Sequence, residues 1–328
     1  WDRWCLVKKG LSVLIRVVVS FGLLGGLFWV MRGQIGDISR TIFSSNPAYL
    51  MASVLFLLVM VALLSARLKV VFEGEDLALS FRESAELTCV GFFFNNFMPT
   101  AVGGDIVKAH YASRFNSKKI KSYASVFMDR IIGMLAILFI AVVAVVFDRG
   151  RFSLAVIRPM IFIFLVIGMT GIVVVTNRTV ARLMERFFTR FRMMGLGERL
   201  NEAYSIIHDY RNRPDVVVRS LLYSVLVQAS NCILVYFLFV SLGKPVSLGN
   251  IFLLMPVVVF ISMVPSIGGL GVREYAMVAF FSVVAGREVS FAVSLLVLAG
   301  NFLVSIAGGL VYMRWTVAPS RALGKTEV

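Results

Sequence analysis

Asp105, Lys108, Asp129, Arg130, Arg273 and Glu274 interrupt stretches of sequence that are otherwise apolar. An ionisable side chain in such surroundings is costly and faces a partner or a water-filled cavity. Three acids stand against three bases. That balance fits ion pairs between helices, and it also fits a polar groove for a zwitterionic or anionic headgroup. Arg130 and Arg273 are the first choices for a phosphate, because the guanidinium fork matches phosphate oxygens. Lys108 follows Asp105 by three residues, which places both on nearly one face of a helix. The neighbouring residues are Gly103, Gly104, Gly268, Gly269 and Gly271, which permit tight turns and close backbone approach. Asn96 adds a polar group, as do Asn95, Gln228, Asn231 and Asn301. The candidate substrate-binding set is therefore Asn96, Gly103, Gly104, Asp105, Lys108, Asp129, Arg130, Gly268, Gly269, Gly271, Arg273 and Glu274.

Other chemistries find less support. Acid–base or metal-assisted catalysis needs paired carboxylates or a base beside a nucleophile, and these stretches carry no such spacing. "EGED" at 73–76 is acidic, but it reads as a cap at the start of the next helix. The histidines are His110 and His208, and Cys5, Cys89 and Cys232 are far apart with no CxxC. A metal site and a disulfide framework are not expected, and no cofactor is implied. Without a Gly-Lys-Ser/Thr phosphate loop the chain is not expected to hydrolyse ATP. Proton coupling through Asp105, Asp129 or Glu274 and passive scrambling both remain open. A channel would need a ring of groups of one sign, which the mixed charges do not supply.

The elements that position these groups are membrane helices. The chain has 328 residues, 59% of them hydrophobic, and a mean hydropathy of +0.88. Only 16% are charged, against about a quarter in soluble domains. The net charge of +15 reads as basic cytoplasmic loops rather than nucleic-acid binding. Full spans of roughly 20 apolar residues are predicted near 11–31, 48–66, 124–147, 155–176, 216–241 and 290–313. Broken segments are predicted near 80–114 and 249–285. The half-helices after the breaks begin at about Asp105 and Val272, with Pro99 and Pro265 ending the ones before.

Orientation follows from Lys and Arg. With the N-terminus in the cytoplasm and each broken segment returning to its own side, the outside receives only Arg32, Arg40, Arg149, Arg151, Arg158, Lys244 and Arg287. The inside receives Arg67, Lys69, Arg82, Lys108 and the basic 177–215 loop, which reads as amphipathic helix on the anionic leaflet. Trp29 and Trp315 suit interfacial belts. Repeat 1 (about 48–147) and repeat 2 (about 216–313) then share one order of elements in opposite orientation. The fold class is an all-α polytopic membrane protein forming one domain over 1–328. It has about six full transmembrane helices plus two opposed re-entrant hairpins in an inverted-topology repeat. Opposed half-helix N-termini would attract an anion such as a lipid phosphate.

The stretches "NNFMPTAVGGDIVKAHY", "SVFMDRIIGML" and "VPSIGGLGVREYA" carry a resemblance over essentially the whole chain. The sequence resembles the lysylphosphatidylglycerol synthase transmembrane-domain family of flippase-like membrane proteins. The resemblance implies movement of lipids between leaflets. Some members carry a further aminoacyl-transferase domain; here the last predicted span is followed by a short tail, so no synthase activity is expected. Lys108 stands where the resemblance leads one to expect Arg. The expected function is a lipid flippase that moves a phospholipid or lipid-linked headgroup. The alternative is a membrane enzyme of glycosyltransferase or phosphatase type acting on a polyprenyl-linked lipid. Expected partners are membrane lipids and a separate lipid-synthesising enzyme, with no nucleic acid. The expected location is a prokaryotic cytoplasmic (inner) membrane, with both termini cytoplasmic. Single cysteines replacing Lys118 and Lys244 should label with an impermeant maleimide from opposite faces of sealed vesicles. Labelling from one face would contradict this topology.

Overall fold

Backbone surrounded by apolar side chains has to satisfy its own N–H and C=O groups, and a helix does so within one segment. The computed structural model describes residues 21–98, 103–116, 118–147, 166, 210, 213–263, 266 and 269–317, and among them the regular structure is helical throughout. Residues 21–31 are helical. In chain order there follow α1 (Ile35–Phe43), α2 (Pro47–Glu73), α3 (Phe81–Phe97), α4 (Gly103–Asn116), α5 (Lys119–Phe147), α6 (Pro214–Ser241), α7 (Leu248–Ile261), α8 (Val272–Ala285) and α9 (Arg287–Val317). These residues fall into two compact units. One is drawn from Trp1–Met60, Cys89–Gly104 and Ala229–Tyr312, the other from Val61–Thr88, Asp105–Gln228 and Met313–Val328.

Helices α2, α5, α6 and α9 have 27, 29, 28 and 31 residues. At about 1.5 Å per residue each exceeds the ~30 Å of a hydrocarbon core, and all four are apolar enough to cross one. They correspond to the spans expected at 48–66, 124–147, 216–241 and 290–313. The span expected at 155–176 lies outside the described residues apart from Val166, as do residues 11–20 of the first span. The amphipathic loop at 177–215 is likewise outside them, except for Tyr210 and residues from Arg213 onward.

Local chemistry sets the helix ends. α2 opens on Pro47, whose missing N–H is no loss in a first turn, and Asn46 Oδ1 accepts from Ala48 N at 3.0 Å. α3 opens on a capping box: Glu83 accepts from Ser80 N at 2.7 Å, and Ser80 Oγ accepts from Glu83 N at 3.2 Å. The acidic stretch at 73–76 therefore closes α2 instead of starting α3. Asp76 takes the left-handed conformation there, with φ 54°, which aspartate tolerates better than most residues. Glu75 is buried and pairs with Lys121 at 3.1 Å. Nearby, α2, α5 and α6 meet through Val70, Val71, Ala124, Met128, Ile132 and Val216, with Tyr210 among them. The Tyr210 hydroxyl donates to Val71 O at 2.8 Å, and burial pushes its phenol well above the usual value.

The two breaks fall where they were expected. α3 and α4 have 17 and 14 residues, and α7 and α8 have 14 each; none of them alone spans ~30 Å. Pro99 and Pro265 lie outside the described residues; the preceding helices end at Phe97 and Ile261. The following helices start at Gly103 and Val272.

Contacts trace the direction of the first hairpin. Glu86 meets Arg314 and Trp315, Phe93 meets Tyr312, and Phe97 meets Phe302, so α3 runs antiparallel to α9. α4 then returns: Gly104 N donates to Asn95 Oδ1 at 2.9 Å, while Tyr111 and Phe115 pack on Trp315. Both open ends of this hairpin thus lie at the same end of α9. Trp315 is 1% exposed, so it is a packing core for those ends and not the interfacial anchor expected from its position. Trp29 is exposed, with the Arg32 guanidinium 4.3 Å from its ring, in keeping with an interfacial belt. The order long, short, short, long occurs twice along the chain, in α2–α5 and in α6–α9. In the second set α7 and α8 pack against each other, and a single residue, Gly286, joins α8 to α9 with φ 83°.

Backbone proximity governs the α3–α9 contact. A Cβ on Gly308 would lie 2.0 Å from Cys89 O. Gly308→Val should therefore lower stability by about 1–3 kcal/mol through overpacking, read as thermal unfolding in detergent. Gly249→Ala, with nothing within 4 Å of the new methyl, should leave the midpoint nearly unchanged. Equal effects of the two would contradict the close contact.

Candidate functional site

The charged residues singled out in the sequence form three separate groups. In the first, Asp105 lies in the opening turn of α4, where the helix dipole favours negative charge. Arg130, on α5, donates through Nη1 to Asp105 Oδ2. Lys108 Nζ lies 3.6 Å from Asp105 Oδ1, as the three-residue spacing implied. The side chains of Asp105, Lys108 and Arg130 are 14%, 13% and 29% exposed. Asn95 holds the same turn through Gly104 N. A Cβ at Gly104 would lie 2.2 Å from Gly91 O, so the start of α4 is pressed onto α3. Gly103 is buried beside it.

The second group joins α2, α5 and α6. Arg67 Nε and Nη2 donate to the two carboxylate oxygens of Asp129 at 2.7 and 2.9 Å, and Nη1 donates to Ser224 Oγ at 3.1 Å. The Arg67 and Asp129 side chains are 9% and 7% exposed. Gly133, one turn beyond Asp129, makes room: a Cβ there would lie 2.9 Å from Arg67 Nη1. Asp129 and Arg130 are consecutive, yet they serve different partners. Successive residues on a helix point about 100° apart, so one reaches α2 and the other α4. Arg67 is the residue that sequence reasoning placed in a cytoplasmic loop. The signal that would have located it is the apolar run Val70, Val71 and Phe72, which carries α2 nearly two turns past Arg67.

The third group opens α8. Glu274 is fully buried; its Oε2 accepts from Gly271 N at 2.6 Å, and its Oε1 accepts from Arg273 Nε and Nη2 at 3.1 and 2.8 Å. Gly269 and Gly271 have φ of 78° and 81°, the left-handed region that favours glycine. Gly268 lies outside the described residues. Asn96 belongs to none of the three groups. Its amide donates to Ser305 Oγ and to Asn301 O on α9. Among the described residues, Gln228 Nε2 is buried without a partner, one turn beyond Ser224 on α6.

Counting charge separates these groups. Arg67 balances Asp129 and Arg273 balances Glu274. Two cations, Lys108 and Arg130, share the one carboxylate of Asp105, which leaves one positive charge in excess among the described residues. Arg273 spends Nε and Nη2 on Glu274, whereas Arg130 gives only Nη1 to Asp105 among the described residues.

Comparison with known proteins gives the family of the chain. Residues 13–309 match the family described as the lysylphosphatidylglycerol synthase TM region. A UPF0104 membrane protein of Methanothermobacter thermautotrophicus is 24% identical over 84% of this chain and 85% of its own. Another from Pyrococcus horikoshii is 23% identical over 94% of this chain and 97% of its own. A match of that extent settles the family: the chain belongs to the lysylphosphatidylglycerol synthase TM region family.

Proposed function

We propose that the protein is a lipid transporter of the flippase class, moving a phospholipid or lipid-linked headgroup between leaflets. The observation that carries this reading is the excess positive charge of Asp105, Lys108 and Arg130 at a break between two half-helices. A phosphate supplies the missing negative charge, and the positive end of α4 adds to the attraction. The guanidinium of Arg130 offers paired donors to its oxygens, and the ammonium of Lys108 offers a point charge. Acyl chains stay in the hydrocarbon while the headgroup meets these donors. Membership of a family named for a lipid synthase's membrane region supports the lipid class.

The other site residues take supporting roles in this reading. Asp129 fixes α5 through Arg67, so that Arg130 is presented to α4. Glu274 with Gly271 and Arg273 fixes the second break. The twice-used order of long and short helices is read as an inverted repeat. In this reading both termini face the cytoplasm, as the Lys and Arg distribution suggests, the membrane is a prokaryotic inner membrane, and a separate enzyme supplies the lipid.

The test is reconstitution into liposomes containing fluorescent phospholipids or polyprenyl phosphates, with leaflet accessibility followed over time. Transport of at least one lipid is expected, and no transport by intact protein would overturn the reading. Arg130→Gln and Lys108→Gln should each slow it about tenfold, since a hydrogen bond to a charged group is worth roughly 1.5–3 kcal/mol. Asp129→Asn should instead reduce stability by about 3–5 kcal/mol, the cost of leaving Arg67 buried and unpaired. A stable Asp129→Asn protein with lost transport would move Asp129 into the headgroup site.

A further inference from the structure

The open end of the α3–α4 hairpin gathers a second set of cations. Arg82 Nε and Arg314 Nη2 donate to the same oxygen of Glu86, at 3.1 and 2.6 Å. Trp315 Nε1 donates to its other oxygen at 3.2 Å. The Arg114 guanidinium lies 5.1 Å from the centroid of Tyr111, which packs on Trp315. Two arginines thus share one carboxylate, and a third stands over Tyr111 beside Trp315. Glu83, the other acid here, is turned away to cap Ser80. Glu86 is 13% exposed, whereas Arg82 and Arg314 are 77% and 48% exposed, so the charge in excess faces outward.

The position of this cluster says what it meets. Arg82 lies in the first turn of α3, Arg114 in the last turn of α4 and Arg314 in the last turn of the membrane-spanning α9. The last turn of a membrane-spanning helix is where it leaves the hydrocarbon for the headgroups, and the contacts through Glu86, Tyr111 and Trp315 bring the ends of α3 and α4 to that turn of α9. Exposed apolar side chains adjoin the arginines in sequence: Phe81 beside Arg82, and Met313 beside Arg314, with Val317 one turn on. A soluble acidic partner needs no such apolar edge. An amphiphile with an anionic head and acyl tail satisfies both halves at once.

We propose that Arg82, Arg114 and Arg314 form a peripheral binding site for an anionic phospholipid of the leaflet at which the hairpin opens. This site is separate from the triad of Asp105, Lys108 and Arg130, and it does not depend on transport. The phosphate lies against the arginines and the acyl chains against Phe81, Met313 and Val317. Bound there, the lipid ties together the ends of three helices and stabilises the hairpin.

The test is thermal unfolding of the full chain in neutral detergent, titrated with phosphatidylglycerol, phosphatidylcholine or inorganic phosphate. Phosphatidylglycerol should raise the unfolding midpoint more than phosphatidylcholine does, and inorganic phosphate should not raise it. The combined Arg82→Gln and Arg114→Gln variant should weaken the apparent affinity about tenfold or more, since each lost contact is a charge-assisted hydrogen bond. Both residues replaced by Lys should retain most of it, which controls for folding. Arg130→Gln, which removes binding at the triad, should keep the difference between phosphatidylglycerol and phosphatidylcholine. An equal shift with phosphatidylcholine would overturn the site, as would an undiminished shift in the double Gln variant. Loss of the shift in Arg130→Gln would assign the binding to the triad instead.

Discussion

The bidentate pair between Arg67 and Asp129 constrains everything around it. Two charges removed from water need each other and need their remaining hydrogen-bonding capacity filled. Asp129 occupies two of the guanidinium donors and Ser224 takes a third group, which locks α2, α5 and α6 in one register. The next residue along α5 is Arg130. With Asp129 fixed, Arg130 has to face another way, and it faces the opening turn of α4. A neutral structural pair on one side of α5 thereby sets the position of a charged, incompletely matched group on the other.

The same logic explains the breaks. A helix end packed away from water leaves backbone groups to be satisfied. The α4 start is served by Asn95 and the α8 start by Glu274. Gly104 lets the start of α4 press onto α3, and Gly308 lets α3 lie close against α9. Trp315 closes the other end of the hairpin, where Glu86, Tyr111 and Phe115 converge.

Much of this was legible in the sequence because it depends on local chemistry. Glycines beside apolar runs marked both breaks, and the starts of α4 and α8 fell within two residues of Asp105 and Val272. The pairing of Asp105 with Lys108 followed from helical spacing. What was not legible depends on partners far away in the chain. Adjacent Asp129 and Arg130 read as one unit, yet helix geometry sends them to partners 62 and 25 residues away. Arg67 read as a loop cation although Val70, Val71 and Phe72 carry the helix past it; what its own neighbourhood does not announce is the carboxylate on α5. Trp315 looked like a belt residue because the aromatic pocket that buries it comes from α4. The acidic stretch at 73–76 was assigned to the wrong helix because Ser80 and Glu83 already make the cap of α3.

The central claim is that one uncompensated positive charge at the start of α4 binds a lipid phosphate. The most direct measurement is the affinity of a short-chain phospholipid for purified protein, compared between Asp105→Asn and Arg130→Gln. Removing the acid raises the excess charge and removing the base cancels it, so the two substitutions should change affinity in opposite directions. Asp105→Asn should bind more tightly than the unaltered protein and Arg130→Gln more weakly. Equal changes, or none in either variant, would contradict the account.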